Sequence, residues 1–203
     1  MTKFPKLRLF RFIISGVLAG CSVFGFSAVV LAATTTTTVS SDISSVISLS
    51  SSGTVNVNLT PTGTGVQTIA SDTVTVSIND SSGYTLQLAE STGTTTMNSG
   101  SNTIPASTGT QTIPAVMAVD TWGYRVDGVG GFGAGPTSGA NNAAISGTIK
   151  FAGVPVPASP NTLANTSGVA SNATTTVWYA LAANTNQPAG TYTNTVTYTV
   201  TGN

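Results

Sequence analysis

Histidine does not occur in this sequence, and cysteine occurs only once, at Cys21. The absence of histidine excludes Ser-His-Asp and Cys-His catalytic arrangements, and it also excludes metal sites built on imidazole ligands. Catalysis would have to rely on paired carboxylates, and the chain has only six acidic residues, with no recognisable motif around them. We therefore expect a protein that is not an enzyme, with no catalytic residue, no metal site and no cofactor. A glycosidase-like pair of distant carboxylates is the alternative.

Charged residues of both signs are scarce, with six basic and six acidic residues in the whole chain. Four of the basic residues lie within the first eleven positions, namely Lys3, Lys6, Arg8 and Arg11. After them, two basic residues stand against six acidic ones, which leaves a net charge of −4. Nucleic-acid binding needs clustered Lys and Arg, and anionic membranes attract polybasic segments. We therefore expect no nucleic-acid partner, and contact with a membrane only through the N-terminal segment.

Residues 1–33 have the three parts of a secretory signal peptide. A basic start is followed by an apolar stretch over residues 12–31, and Ala32 and Ala33 offer small residues for cleavage. This arrangement predicts export through the general secretory route. The protein is then expected outside the cell or at the cell surface.

Two alternatives remain open for the same segment. Residues 18–21, Leu-Ala-Gly-Cys, fit a lipobox, in which Cys21 would become the lipidated first residue. The apolar stretch is also long enough to span a bilayer as an uncleaved anchor. In each case the rest of the chain lies outside the cytoplasmic membrane, and it contains no cysteine that could form a disulfide.

The dominant pattern after the signal is a period-two alternation of apolar and hydroxyl side chains. Near the C-terminus, every odd position from 191 to 201 is threonine, and Val196, Tyr198 and Val200 lie between them. Successive side chains of a strand point to opposite faces, and threonine favours strands while tolerating water. The pattern predicts an apolar face in the core and a threonine face in solvent. A similar alternation occurs in three further segments, residues 55–59, 73–78 and 84–88.

Turn-forming residues separate these runs. Residues 79–83, Asn-Asp-Ser-Ser-Gly, and residues 184–190 are expected to join neighbouring strands as hairpins. Many short strands separated by turns are typical of a sandwich or barrel. We therefore predict an all-β protein: an N-terminal signal helix, a Thr- and Ser-rich spacer over residues 34–45, and one antiparallel β-sandwich domain over residues 46–203. Counting the alternating runs gives about eight or nine strands.

Three segments lack a strand pattern and are expected to be loops, namely residues 91–112, 128–143 and 155–173. Long loops in compact domains are frequent binding sites. Residues 128–143 and 155–173 are therefore the expected contacts if the protein is a binding module. Asp72 and Asp80 flank a predicted strand and are expected as solvated turn residues.

Aromatic residues near the middle and end of the chain are expected in two environments. Trp122 and Tyr124 alternate with polar residues, which favours a place in the core. Trp178 is out of phase with its apolar neighbours, so it is the expected exposed aromatic. Arg125 and Asp127 lie on the polar face of their strand. Trp178, Arg125 and Asp127 are thus the predicted ligand contacts.

The segment over residues 188–199 resembles the terminal hairpin of bacterial secreted sandwiches of the spore-coat and fimbrial-subunit type. Residues 121–126, Thr-Trp-Gly-Tyr-Arg-Val, are similar to a segment that recurs in small bacterial surface proteins. The resemblance implies an Ig-like or fimbrial-like sandwich that serves as a structural or adhesive subunit. Many fimbrial subunits contain a disulfide, which the single cysteine of this chain does not allow.

These observations predict a non-catalytic secreted or cell-surface structural subunit. An unpaired edge strand can accept an extended segment from a neighbour. Self-association by strand addition is therefore expected, with residues 39–50 or the last strand as the donor. The alternative is an adhesin or carbohydrate-binding module, in which residues 128–143 and 155–173 contact a surface glycan or a protein.

Mass spectrometry of the extracellular protein should find an N-terminus at Ala33 or Thr34, because cleavage is expected after Ala32 or Ala33. A first residue of lipid-modified Cys21 would instead support the lipoprotein, and an intact Met1 would indicate a retained anchor.

Overall fold

The computed structural model describes residues 33–203, and within that range the chain contains strands and no helix. The all-β prediction is confirmed for this range. The predicted signal peptide, with Cys21 and Ala32, lies outside the described residues, and Ala33 is exposed. Among the described residues, no helix is long and apolar enough to cross a membrane.

Two compact units divide the chain. In the first unit, the structure describes residues 33–42, which form no strand and are exposed. The second unit is Ile43–Asn203 and contains the strands. In chain order they are β1 (Ile47–Ser50), β2 (Val66–Ile78), β3 (Tyr84–Glu90), β4 (Met97–Ser99), β5 (Asn102–Ile104), β6 (Ala115–Val116), β7 (Thr121–Arg125), β8 (Ala140–Ala143), β9 (Lys150–Phe151), β10 (Asn161–Asn165), β11 (Ala170–Ala183) and β12 (Val196–Gly202).

A five-stranded antiparallel sheet is built around the pairing of the two longest strands, β2 and β11. Both are rich in Val, Ile, Thr and Ala, and β-branched side chains favour extended backbone. The pairing runs from Val66 opposite Ala183 to Ile78 opposite Ala170. Strand β7 pairs with the edge of β11 that faces away from β2. Strands β1 and β8 pair with opposite ends of the edge of β2 that faces away from β11.

A three-stranded antiparallel sheet has the order β10-β3-β12. In β12 the three threonines are exposed, and Val196, Tyr198 and Val200 between them are half-buried. The predicted alternation is therefore confirmed in this strand. Burial of its apolar side chains stays incomplete because β12 is an edge strand.

One apolar cluster is formed by side chains of both sheets. Val74 and Val177 come from the five-stranded sheet, and Leu86 comes from the three-stranded sheet. The hydroxyl oxygens of Tyr179 and Tyr198 are 2.8 Å apart, so a hydrogen bond also joins β11 to β12. The two sheets thus share one interior.

The opposite face of the five-stranded sheet is covered at one end by a second apolar cluster. It consists of Ile69, Met117, Phe151, Ala180 and Ala182. Since Ile69 belongs to β2 while Ala180 and Ala182 belong to β11, the two long strands are buried on both faces at this end.

The two predicted hairpins are wrong. Residues 79–83 connect β2 to β3, and residues 184–190 lie within the connection from β11 to β12, but each pair of strands belongs to different sheets. Both segments therefore cross between sheets. Gly83 has a φ of 84°, and a Cβ at this position would overlap the backbone of Thr166 after β10. The turn is thus shaped by its contact with β10.

The predicted loops contain strands. Residues 91–112 include β4 and β5, residues 128–143 include β8, and residues 155–173 include β10 and the start of β11. These strands are short or poor in apolar side chains. β4 and β5 pair with each other, whereas β8, β10 and β11 pair with strands distant in the chain. Conversely, residues 55–59 keep the alternation but form no strand.

Replacing Leu86 by alanine should lower the free energy of unfolding by about 2–5 kcal/mol, since truncation of a fully buried side chain leaves a cavity. Thr199→Ala is the matched control, because Thr199 is exposed on β12. It should change stability by less than about 0.5 kcal/mol. Urea denaturation measures both, and equal effects would contradict the shared interior.

Candidate functional site

Arg125, a predicted ligand contact, is only 5% exposed. Its Nε donates to Asp127 Oδ1 at 2.7 Å and to Thr137 Oγ1 at 2.6 Å, and one terminal nitrogen donates to the carbonyl of Phe132. The guanidinium also lies 5.8 Å from the centre of the Phe132 ring. The prediction for Arg125 is therefore corrected: its donors are used inside the protein and are not available to an external ligand.

Asp127 completes this network and remains half-buried. Its Oδ2 accepts from the Thr137 backbone nitrogen at 2.6 Å, and its Oδ1 accepts from Thr137 Oγ1 at 2.7 Å. Burial raises the pKa of Asp127, but the hydrogen bonds from Thr137 and Arg125 and the Arg125 charge outweigh it. The pKa therefore lies below its ordinary value of 3.8.

The Arg125–Asp127 network holds the glycine-rich segment that follows β7. Gly135 has a φ of 65°, and a Cβ there would overlap the Asp127 carboxylate. Phe132 and Thr137 are both buried. Residues 128–139 are thus fixed at three points, unlike the open binding loop that their composition predicts.

Trp178, the predicted exposed aromatic, is half-buried on the face that carries the second cluster. It lies between Ser71 on β2 and Arg125 on β7. Trp122 and Tyr124 belong to the main core, as predicted. The structure therefore brings Trp178 and Arg125 together, with Asp127 bonded to Arg125, but it does not present the three as an open site.

A groove of about 770 Å³ is present on another side of the second unit. One wall is formed by residues 51–61, and the other by residues 187–198, which lead into β12. The floor includes Trp122, Tyr179 and Tyr198. Its volume lies within the range of ordinary ligand pockets.

The wall over residues 51–61 has free backbone groups. In the described part of the chain, residues 53–61 make no backbone–backbone hydrogen bonds. Side chains bond the backbone of Gly53, Thr54, Asn58 and Thr60, whereas the backbone of residues 55–57 has no partner. Val55 and Val57 are half-buried against the main core, while Asn56 and Asn58, which alternate with them, are exposed. This wall therefore has the side-chain alternation of a strand without a strand partner.

A buried carboxylate lies at the base of the groove. Asp72 is 4% exposed. Its Oδ1 accepts two hydrogen bonds from Ser52, one from the backbone nitrogen at 2.9 Å and one from Oγ at 2.7 Å. Burial raises the pKa of Tyr198, and the neighbouring Tyr179 and Asp72 raise it further. Burial likewise raises the pKa of Tyr179. Both phenols are consequently neutral over the physiological range.

The sequence predicts Asp72 in a solvated turn, and this prediction is wrong. Asp72 lies within β2 and shares the buried face of Val74 and Val76. Its even-numbered position, in phase with the two valines, was the signal that could have revealed it. Asp80 does lie in a turn, where its Oδ1 accepts from the Ser82 backbone nitrogen at 2.8 Å.

Comparisons with protein-family models, with curated proteins and with solved structures found no match to this chain. Within residues 33–203, no group of three or more His, Cys, Asp or Glu side chains is placed to hold a metal ion.

Asp127→Asn should destabilise the protein at pH 7 by about 1–3 kcal/mol, because buried Arg125 loses its charged partner. The folded-state pKa of Asp127 is depressed, so its contribution is present above pH 3.8 and is lost as the pH falls further. The variant should therefore lose less stability than the wild type on acidification below this value.

Urea denaturation at pH 7 and pH 3 measures this difference. Asp42→Asn, which removes an exposed carboxylate, is the control and should behave like the wild type. If Asp127→Asn and the wild type lost the same free energy of unfolding between pH 7 and pH 3, the Arg125–Asp127 network would not stabilise the fold.

Proposed function

We propose that this protein is a non-catalytic structural subunit, secreted or held at the cell surface, that self-associates by β-strand addition. The observation that carries the proposal is an open side of the second unit, where β12 has an unpaired edge. The shared interior of the two sheets supports an Ig-like or fimbrial-like sandwich. The signal-like N-terminal sequence and the resemblance to secreted surface subunits support the location.

The acceptor in this proposal is the outer edge of β12. Strand β12 pairs with β3 on one side, and residues 33–203 provide no strand on its other side. The edge of the facing sheet is also uncovered: Ile47 and Leu49 on β1 are 37% and 36% exposed. A strand added to β12 would cover these apolar side chains and satisfy free backbone groups.

The donor is the segment before β1. The predicted donor, residues 39–50, has to be shortened, because Ile47–Ser50 already pairs with β2 and Val46 is hydrogen-bonded to Asn79. Val39 and Ile43 remain, and they are 90% and 86% exposed. Four residues apart, they share one face of an extended strand at a spacing of about 13 Å. They would supply the apolar face of the added strand.

The groove favours a second function, that of a binding module. Its volume and its aromatic floor fit a ligand site better than the two predicted loops do. Residues 128–143 bond to the buried Arg125, and residues 155–173 contain β10 and the start of β11. In an adhesin or carbohydrate-binding module, the glycan or protein ligand would therefore occupy the groove.

The double variant Val39→Asp/Ile43→Asp tests assembly. Wild-type protein, purified after export, should form concentration-dependent oligomers in sedimentation velocity and chains in negative-stain micrographs. The variant should remain monomeric, because two carboxylates would be buried against apolar side chains.

Ser40→Asp/Ser44→Asp is the matched control, since it adds the same charge on the other face of the extended segment. This control should still assemble. A wild-type protein that stays monomeric at the highest attainable concentration would remove the basis of the proposal, and so would unchanged assembly of the Val39→Asp/Ile43→Asp variant.

A further inference from the structure

The groove is lined by one carboxylate, Asp72, and by no basic side chain. Within residues 33–203, Asp72 Oδ1 accepts two hydrogen bonds from Ser52, and the Tyr198 hydroxyl also interacts with the carboxylate. A buried charge is costly unless it is paired. The described chain has two basic side chains, Arg125 and Lys150, and neither lines the groove. The site is thus complementary to a cation.

The side chains around Asp72 also suit a cation. Tyr179, Tyr198 and Trp122 line the groove with it, and the faces of aromatic rings attract ammonium and guanidinium groups. The two phenols add no competing negative charge, because burial keeps their pKa values high.

One wall of the groove suits an extended chain. Along this wall, the backbone of residues 55–57 makes no hydrogen bond within the described part of the chain. These free backbone groups match the hydrogen-bonding groups of an extended peptide.

We propose that the groove binds an extended peptide segment of another protein, with a lysine or arginine side chain paired to Asp72. The N-terminal segment of a second copy is a poor occupant, because Asp42 is the only charged residue among residues 33–46 and has the wrong sign. The inference therefore goes beyond self-association and gives the surface subunit a second partner, recognised by positive charge.

A pair of synthetic peptides tests the site by isothermal titration calorimetry with the exported protein. The probe is acetyl-Thr-Val-Lys-Val-Thr-amide, and the control peptide carries norleucine in place of lysine. The lysine peptide should bind saturably with one site per chain. The norleucine peptide should bind at least about tenfold more weakly, because it offers Asp72 no cationic partner.

The protein variant Asp72→Asn should weaken binding of the lysine peptide by at least about tenfold, since it removes the charge but keeps the side-chain shape. Asp80→Asn is the matched control: it removes one carboxylate from a turn that does not line the groove, and it should bind like the wild type.

Three results would overturn the proposal: no saturable binding of the lysine peptide, equal binding of the norleucine peptide, or unchanged binding by Asp72→Asn. Equally tight binding of N-acetyl-lysine amide would reject the peptide and leave a site for small cations. The peptide comparison uses wild-type protein alone, so it decides the question even if Asp72→Asn does not fold. The assembly experiment with Val39→Asp/Ile43→Asp tests self-association, and the peptide titrations test the groove. Either proposal can therefore fail without the other.

Discussion

The apolar interior shared by the five-stranded and three-stranded sheets is the constraint on which the other features depend. Residues 33–203 contain no cysteine, so no disulfide supports this part of the chain. Each buried Val or Leu contributes roughly 1.5–3 kcal/mol, and side chains such as Val74, Leu86 and Val177 contribute only while the two sheets are packed together. The tyrosine pair that joins β11 to β12 depends on the same packing.

The strands with strong alternation could be predicted from the sequence, because a period of two determines which side chains share a face. Strand β12 follows the pattern residue by residue. The pairing of strands could not be predicted in this way. The turn at residues 79–83 has hairpin chemistry, yet β2 pairs with β11, about a hundred residues away along the chain. Only contacts distant in sequence decide that the turn crosses between sheets.

The candidate sites show the same limit. Arg125 does lie on the face opposite Trp122 and Tyr124, as its position predicts, but that face is covered by its own network with Asp127 and Phe132. Alternation distinguishes the two faces of a strand and does not tell whether the second face is exposed. Asp72 shows the converse: its phase with Val74 placed it inside, and its charge suggested a solvated turn. For Asp72, the position in the strand predicted burial better than the charge of its side chain did.

The missing histidine has a consequence for how the charge of the folded domain responds to pH. Histidine is the side chain that ordinarily changes its charge between pH 5 and 8. Hydrogen bonds lower the pKa values of the Asp80, Glu90 and Asp127 carboxylates, and at Glu90 and Asp127 they outweigh the opposite effect of burial. Burial raises the pKa values of Tyr179 and Tyr198. The folded domain consequently keeps nearly the same charge across this span, and its electrostatic attraction for a partner would stay constant where a histidine-bearing surface would switch.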